Sequence, residues 1–237
     1  MPEDKPKLKV LDLFSGILVG GFSLGLERTG GFETVAFCEI EEFPRRVLAK
    51  HWPGVPIYHD VRELTKDVLD RDGIAVDVIT GGFPCQRFSS AARGRNNAPD
   101  LWPEMARLVS EIKPRYIIAE NVKRDPIERA AAHATSMGMQ CDVVCIPADE
   151  VGADTERVRW WAIAHPHDEG KFPRALDAEV AKLPALFAGV WGAENYRAAI
   201  RLSDGIPDRM GAVAAFGNAV VPQIPEMIGR AILEAAE

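Results

Sequence analysis

Residues 7–30 read KLKVLDLFSGILVGGFSLGLERTG, and this stretch decides the fold. Its first part, residues 7–14, is an apolar run of strand length that stops at a turn signal. Its last part, residues 20–30, has the spacing of a helix and is closed by Gly30 and Gly31. A strand, a glycine-rich turn and a helix in this order suit a nucleotide-like cofactor, and a plain tight turn is the alternative interpretation.

The same alternation continues along the chain. Apolar runs predict strands at residues 33–40, 76–80, 115–121, 139–148 and 157–166, and helical patterns lie at residues 41–53, 101–114, 127–138 and 222–237. Near-continuous apolar strands that alternate with helices are typical of a parallel sheet covered on both faces. The sequence therefore predicts the α/β class, with a doubly wound and mostly parallel sheet.

Composition restricts the class of protein further. Of the 237 residues, 47% are hydrophobic and 27% charged, and the net charge is −7. This charge argues against a protein that coats nucleic acid nonspecifically, but it does not exclude an enzyme that acts on nucleic acid. No apolar run approaches the roughly 18 residues of a membrane span, and residues 1–10 lack the apolar core of a signal peptide. We therefore expect a cytosolic protein without a membrane segment.

One of the four cysteines stands out by its position. Residues 81–90, GGFPCQRFSS, place Cys85 directly after a proline at the end of an apolar run. Pro84 fixes its own φ and restricts Phe83, while the two glycines allow a sharp turn and close approach of another molecule. Such a stiff loop beyond a strand end suits chemistry, and the alternative is one more buried thiol. The cysteines show no CxxC spacing, so no metal site is predicted.

Polar residues follow other predicted strands at the same kind of position. Glu39 ends the second strand, 23 residues after Gly16, where an acid can accept hydrogen bonds from ribose hydroxyls. Asp60, in HDVREL, lies where a third strand is expected to end, and it can accept from an adenine amino group or cap a helix. Glu120, in AENV, ends another strand. Because ligands bind at the carboxyl ends of strands in open α/β sheets, these residues predict a site.

The segments, taken in order, resemble the DNA (cytosine-5)-methyltransferase family. They are DLFSG…GGFSLGLE, FCEIEEF, HDVREL, GGFPCQRFS, ENVK, TERVRWW and GNAVVPQIP, which run from residue 12 to residue 225. The resemblance implies a Rossmann-like fold that binds S-adenosylmethionine and transfers its methyl group to carbon 5 of cytosine in double-stranded DNA. Only residues 167–216 separate AIAHP from GNAVVP, so the chain looks like a short member with a reduced target-recognition region.

The resemblance also assigns catalytic roles. Cys85 is the nucleophile that attacks carbon 6 of a flipped cytosine, and Glu120 donates to ring N3. Arg159 contacts the base oxygen, and Arg157, two residues away on the same face of a strand, positions the base or the surroundings of Cys85. Residues 89–100 resemble the mobile loop that closes over the flipped base.

Binding residues follow from the same comparison of motifs. The expected cofactor residues are Phe14, Gly16, Glu39, Ile40, Asp60, Pro84, Asn218 and Val220. For Ile40 the alternative is ordinary core packing. The expected DNA-binding residues are Gln86, Arg87, Ser89, Arg93, Arg95 and Lys123, and Arg93 and Arg95 suit phosphate contacts. No metal is implied.

The implied organisation has three parts. Residues 1–166 form the catalytic and cofactor-binding domain, residues 167–205 a small target-recognition insertion, and residues 206–237 a C-terminal segment that returns to the catalytic domain. We expect a monomer in the cytoplasm of a bacterium, host- or phage-encoded, of the kind found in restriction-modification. The target DNA sequence does not follow from these motifs.

Three departures from the family pattern leave two alternatives open. Leu18 and Val19 are inserted in the glycine turn, Thr155 stands where the family usually has glutamine, and the recognition region is short. One alternative is an RNA cytosine-5 methyltransferase, since a branch of the family methylates tRNA and also lacks a large recognition domain. The other is a catalytically silent module that binds DNA or a partner; the insertion and Thr155 favour it, and the intact Cys85 and Glu120 oppose it.

Overall fold

The computed structural model describes residues 6–16, 21–84, 99–147, 158–182 and 220–237. Its strands are β1 (Leu8–Leu13), β2 (Phe32–Cys38), β3 (Ile57–Tyr58), β4 (Val78–Gly82), β5 (Tyr116–Asn121), β6 (Gln140–Pro147) and β7 (Val158–His165). Its helices are α1 (Gly21–Arg28), α2 (Glu42–His51), α3 (Lys66–Arg71), α4 (Trp102–Ile112), α5 (Arg124–Ser136), α6 (Lys171–Val180) and α7 (Gln223–Ala235).

The strands form one seven-stranded sheet in the order β3-β2-β1-β4-β5-β7-β6. β1 pairs in parallel with β2 and β4, and β4 pairs in parallel with β5. β7 is inserted between β5 and β6 and is antiparallel to both. The predicted doubly wound, mostly parallel α/β sheet is confirmed.

Two hydrophobic clusters cover the two faces of this sheet. On one face, Val10 of β1 and Val78 of β4 lie in a cluster with apolar side chains of α1, α6 and α7. On the other face, Leu11 of β1 and Ile79 of β4 lie in a cluster with side chains of α3, α4 and α5. Successive residues of a strand point to opposite faces, so a strand buried on both sides is apolar throughout.

The C-terminal helix α7 packs closely on α1 because two glycines leave room. A Cβ on Gly21 would lie 2.3 Å from the carbonyl oxygen of Val220, and one on Gly25 would lie 2.1 Å from that of Pro222. Both distances are shorter than real contacts allow, so these two positions require glycine. The last part of the described chain is therefore integrated with the central sheet.

Element ends differ from the sequence-based ones for local reasons. α5 begins at Arg124 rather than at residue 127, because Pro126 falls in the first turn, where its missing N–H costs nothing. β3 has only two residues, too few for a period-2 pattern to show. α6 accounts for part of the helical pattern after residue 167. In the described parts of the chain, no helix is long and apolar enough to cross a membrane.

Candidate active site

The order of the strands reverses between β1 and β4, and the candidate site lies at the carboxyl ends of these strands. In the chain, β1 leads to β2 on one side of the sheet, whereas β4 leads to β5 on the other. The loops after β1 and β4 therefore diverge and leave a crevice, which is where open α/β sheets bind ligands. Gly16, Glu39, Asp60 and Glu120 lie at the ends of β1, β2, β3 and β5, as predicted.

A cavity of about 510 Å³ occupies this crevice. Its volume is within the roughly 300–1,000 Å³ of pockets that bind small molecules. Among its lining residues are six of the eight predicted cofactor residues, namely Phe14, Gly16, Glu39, Ile40, Asp60 and Pro84. Most of the lining residues lie at the ends of strands or in the segments that follow them.

The Glu39 carboxylate fixes the backbone of the glycine turn that follows β1. Its carboxylate accepts hydrogen bonds from the backbone N–H of Gly16, at 2.9 Å, and from that of Glu41, at 2.8 Å. Burial raises the pKa of the Glu39 carboxyl above its ordinary value, although both N–H groups act to lower it. Each carboxylate oxygen has a second lone pair, so Glu39 can also accept two ribose hydroxyls.

The turn above Glu39 has an unusual backbone. Gly16 has φ of +62°, which glycine adopts without cost, whereas Phe14 has φ of +55°, which is uncommon for a side chain of its size. The N–H of Phe14 donates to the carbonyl oxygen of Cys38 at 2.8 Å. This bond and the Glu39 contacts hold β1 and β2 together beyond the end of the sheet, and the aromatic ring of Phe14 lines the cavity.

The surroundings of Ile40 and Asp60 bear on the two roles that the sequence left open for each residue. The side chain of Ile40 is 56% exposed, so the core-packing interpretation is wrong. The Asp60 carboxylate accepts from the backbone N–H of Arg62 at 3.0 Å and forms an ion pair with the Arg62 guanidinium. These hydrogen bonds lower the pKa of Asp60. Asp60 thus caps a turn, and it can bind an adenine amino group only by sharing its oxygens with Arg62.

The predicted base-binding pair is assembled at the end of β5. The Arg159 Nε lies 2.8 Å from the Glu120 Oε1, and both side chains are nearly buried. A Cβ on Gly82 would lie 2.9 Å from the Glu120 Oε2, so a larger residue at position 82 would displace this carboxylate. Gly82 also lines the cofactor cavity. The cavity and the Glu120–Arg159 pair therefore meet at one residue, two positions before Pro84.

Two contacts of the Pro84 region were not predicted from the sequence. The Asn121 side-chain amide donates to the carbonyl oxygen of Phe83 at 2.9 Å. The Leu101 N–H donates to the carbonyl oxygen of Pro84 at 3.3 Å. They fix the backbone immediately before Cys85. Asn121, which directly follows Glu120 in AENV, is the sequence feature from which the first contact could have been predicted.

Asp12 is a second feature that sequence reasoning missed. Its carboxyl is fully buried and accepts hydrogen bonds from the hydroxyls of Ser23, at 2.8 Å, and Thr80, at 2.9 Å. These bonds join β1 to α1 and β4 beneath the glycine turn. Burial is the largest influence and raises the pKa of Asp12 to about 7. Nothing local in KLKVLDLF distinguishes Asp12 from an ordinary strand residue.

The other described cysteines have different surroundings from a catalytic thiol. Burial raises the pKa of Cys38 and of Cys141 to about 12, so neither thiol is ionised at neutral pH. Cys145 is exposed on β6, at the far edge of the sheet.

The remaining predicted residues are placed as follows. Val220 lies against Gly21 at the start of α1 and is not among the residues that line the cavity. Lys123 is half-buried between β5 and α5. The following residues lie outside the described part of the chain, so their roles stay predictions: Leu18, Val19, Cys85, Gln86, Arg87, Ser89, Arg93, Arg95, Thr155, Arg157 and Asn218.

A second cavity, of about 350 Å³, contains none of the predicted site residues. Arg115, His165 and Phe172 contribute to its lining. The imidazole of His165 is only 2% exposed and is already engaged by Asp142, at 2.9 Å, and by the carbonyl oxygen of Pro166, at 2.9 Å. These contacts hold β6, β7 and the start of α6 together, which is a structural role.

Comparisons with known proteins identify proteins that are similar to this chain. One is the Type II methyltransferase M.HgiBI of Herpetosiphon aurantiacus, 39% identical over 122 residues, which are 49% of this chain and 26% of the relative. Another is the Type II methyltransferase M.CviJI of Paramecium bursaria Chlorella virus IL3A, 30% identical over 164 residues, 66% of this chain and 42% of the relative. The match thus spans between a quarter and a half of these relatives.

Solved structures support the fold over a larger share of the chain. A protein assigned as a DNA modification methyltransferase, encoded within an E. coli prophage, matches with a TM-score of 0.68 and 22% identity, over 97% of this chain and 99% of that one. The S. pombe Dnmt2 methyltransferase matches with a TM-score of 0.55 and 19% identity, over 68% and 51%. The model of the C-5 cytosine-specific DNA methylase family matches residues 8–186, which is most of the chain, and the chain therefore belongs to that family.

Proposed function

We propose that the protein transfers a methyl group from S-adenosylmethionine to carbon 5 of cytosine in double-stranded DNA. The observation that carries this proposal is the shared position of Gly82, which lines the cofactor cavity and contacts the Glu120–Arg159 pair. A methyl donor in the cavity and a base held by Glu120 would be neighbours across this glycine. Cys85, the proposed nucleophile, follows Gly82 by three residues in the chain.

The cavity residues suit the parts of the cofactor. Glu39 has lone pairs free for the ribose hydroxyls, and the exposed Ile40 offers an apolar surface for the adenine ring. The cavity volume and its mixed polar and apolar lining fit a nucleoside-sized ligand. S-adenosylmethionine supplies an electrophilic methyl group when it is bound. Asn218 and Val220 stay predicted contacts.

The protein residues supply the rest of the chemistry. The Cys85 thiolate forms a bond to carbon 6 of cytosine, and the electron pair it adds makes carbon 5 nucleophilic. Glu120 stabilises the charge that develops at N3, and Arg159 both orients Glu120 and binds the base oxygen. After carbon 5 is methylated, the loss of its proton and the departure of Cys85 as thiolate restore the aromatic ring. Because carbon 6 is covered in a stacked duplex, the base must first be flipped out.

The ion pair has a consequence for Glu120. Its Oε1 lies 2.8 Å from the Arg159 Nε, so a negative charge on this carboxylate has a cationic partner. To donate to N3, Glu120 must acquire a proton or share one with the base. We therefore assign Arg159 to orientation and charge compensation and Glu120 to proton donation at N3, with Arg157 as a further contact.

The wider organisation of the protein belongs to this proposal as well. Residues 1–166 would carry catalysis, residues 167–205 would contact the target, and residues 206–237 would complete the catalytic domain. Gln86, Arg87, Ser89, Arg93, Arg95 and Lys123 would contact DNA. We propose a monomer that acts in the cytoplasm, where the DNA of a bacterium or an infecting phage is found.

Transfer of a radiolabelled methyl group to three substrates tests the proposal. Wild-type protein is expected to label duplex DNA, and Cys85→Ser to label it at least about 10³-fold more slowly while still binding S-adenosylmethionine. Cys145→Ser is the control, because Cys145 is an exposed cysteine at the far edge of the sheet. A duplex containing 5-fluorocytosine should trap a covalent adduct, since the proton that must leave carbon 5 is replaced by fluorine.

Other outcomes identify the alternatives. Labelling of tRNA without labelling of duplex DNA would make the protein an RNA methyltransferase. Absence of labelling on duplex DNA, single-stranded DNA and tRNA, with binding of DNA retained, would indicate the silent module. Wild-type turnover by Cys85→Ser would refute the covalent mechanism.

A further inference from the structure

One wall of the cofactor cavity has almost no support from the sheet. Asp60, Val61 and Arg62 line the cavity and follow β3, which has only two residues. β3 is an edge strand, and its register contains two pairs with β2. The next regular element, α3, begins at residue 66. The main-chain ladder therefore ends before the wall begins, and side-chain contacts hold the wall: Val61 and Leu64 are buried in the hydrophobic cluster of this face, and polar contacts come from α4.

Arg107 of α4 supplies two of these polar contacts. Its Nη2 donates to the carbonyl oxygens of Val61 and Leu64, both at 2.9 Å. A single guanidinium nitrogen thus binds both ends of the turn that carries Arg62. The carbonyls of an irregular segment have no partners from a helix or sheet, so these two bonds satisfy acceptors that would otherwise be left to solvent.

Two carboxylates hold the guanidinium in this orientation. The Arg107 Nε donates to Glu104 at 3.1 Å, and its Nη1 donates to Glu111 at 2.9 Å. Glu111 also accepts from the backbone N–H of Lys66 at 3.0 Å. The arginine and Glu111 together attach residues 61–66 to α4. The planar fork of arginine makes four contacts in fixed directions, which a lysine ammonium cannot reproduce.

The opposite side of the cavity is attached to the same helix. Pro99 and Leu101, which directly precede α4, also line the cavity. Both walls are thus attached to α4, and the Asp60–Arg62 wall is attached to it through Arg107.

We propose that Arg107 is a positioning residue of the cofactor site, which sets the affinity for S-adenosylmethionine by holding the Asp60–Arg62 wall against α4. The inference rests on the proposed function, because it takes the cavity to be the cofactor site. Arg107 itself does not line the cavity and acts through the segment it binds. A purely structural arginine would stabilise the fold without setting this affinity.

Arg230 of α7 provides a matched control for that alternative. It forms ion pairs with Glu226 and Glu179 and, like Arg107, is partly exposed. It lies on the other face of the sheet and contacts none of the cavity residues among those the structure describes. Replacing either arginine by methionine removes ion pairs, but only the Arg107 variant releases the cavity wall.

The test measures S-adenosylmethionine binding by calorimetry and thermal unfolding for wild type, Arg107→Met, Arg107→Lys and Arg230→Met. We expect Arg107→Met to weaken binding by about tenfold or more, which corresponds to the loss of two or more hydrogen bonds that order the site. Arg107→Lys should weaken it about threefold or more, and Arg230→Met by less than twofold. In turnover, Arg107→Met should raise KM for S-adenosylmethionine while kcat at saturation stays within about twofold of wild type.

Each result bears on the inference. Wild-type affinity in Arg107→Met would overturn it, as would equal weakening in Arg107→Met and Arg230→Met, or an unchanged KM with a lower kcat. If Arg107→Met does not fold, Arg107→Lys keeps the charge and most of the stem, and wild-type affinity in that variant would also overturn the inference. If wild-type protein fails to bind S-adenosylmethionine, the proposed function fails, which is distinct from a variant that binds as wild type does.

Discussion

Replacing Asp12 with asparagine isolates the cost of burying one carboxyl beneath the glycine turn. The carboxyl is fully buried, and its hydrogen bonds come from the hydroxyls of Ser23 and Thr80. Burial outweighs these bonds and raises the pKa from 3.8 to about 7, and Glu39 adds to the effect through charge repulsion. Asparagine has nearly the same shape and no charge, so a comparison of the two proteins reports the titration of this carboxyl.

The sign and the size of the effect follow from linkage. Because the pKa of Asp12 is higher in the folded protein than in the unfolded chain, its contribution to stability is complete below about pH 4. This contribution is lost as the pH rises toward 7, because the unfolded chain releases the Asp12 proton at a lower pH than the folded protein does. At about 1.4 kcal/mol per pKa unit, the full loss is about 4 kcal/mol, and more than half of it falls between pH 5 and pH 8.

Urea unfolding at pH 5, 6, 7 and 8 measures this loss for wild type and Asp12→Asn. The free energy of unfolding of the variant, minus that of wild type, should rise by about 2–3 kcal/mol over this range and level off above pH 7. Ser23→Ala removes a donor that lowers the pKa of Asp12, so it should move the levelling to higher pH. A difference that is constant between pH 5 and pH 8, or that falls, would refute the reasoning.

Three further predictions concern the proposed chemistry. Glu39→Ala should weaken S-adenosylmethionine binding by roughly 1.5–3 kcal/mol, the range for hydrogen bonds to a charged group, and unchanged affinity in calorimetry would exclude the ribose role. Glu120→Gln should slow single-turnover methylation far more than it weakens DNA binding, and a full rate would contradict proton donation by Glu120. Deletion of Leu18 and Val19 should change cofactor affinity by less than about tenfold, because loop insertions have mild effects; binding a hundredfold tighter would show that the insertion impairs the site.

The sequence was sufficient for the parts of the structure that depend on local pattern. Apolar runs such as VDVIT mark buried strands, and β4 indeed lies between β1 and β5 in the centre of the sheet. Because parallel strands bring their carboxyl ends to one edge, the residues that follow them were predicted to converge. Gly16, Glu39, Ile40 and Pro84 line one cavity for this reason.

Features that depend on long-range contacts could not be predicted in the same way. Thr80 reaches Asp12 across 68 residues of sequence, and Arg107 reaches Val61 across 46. Neither contact leaves a period or a turn signal in the chain. The antiparallel direction of β7 was likewise not predicted, since an apolar strand has the same composition in either direction.

Three acidic side chains are buried at the same end of the sheet, and the partners of each explain why they differ in function. Glu120 has the Arg159 guanidinium at 2.8 Å, which orients its carboxylate where a base is proposed to bind. Glu39 has two backbone N–H donors and faces the cavity, so it keeps lone pairs for a ligand. Asp12 has neutral donors, namely the hydroxyls of Ser23 and Thr80 and the backbone N–H of Ser23, and no exposure, so it can reach neither ligand nor solvent. Burial raises its pKa to about 7, and its contacts join β1, β4 and α1 directly beneath the glycine turn. Asp12 thus shapes the geometry of the glycine turn from within the core, whereas Glu39 and Glu120 are placed to contact a ligand directly.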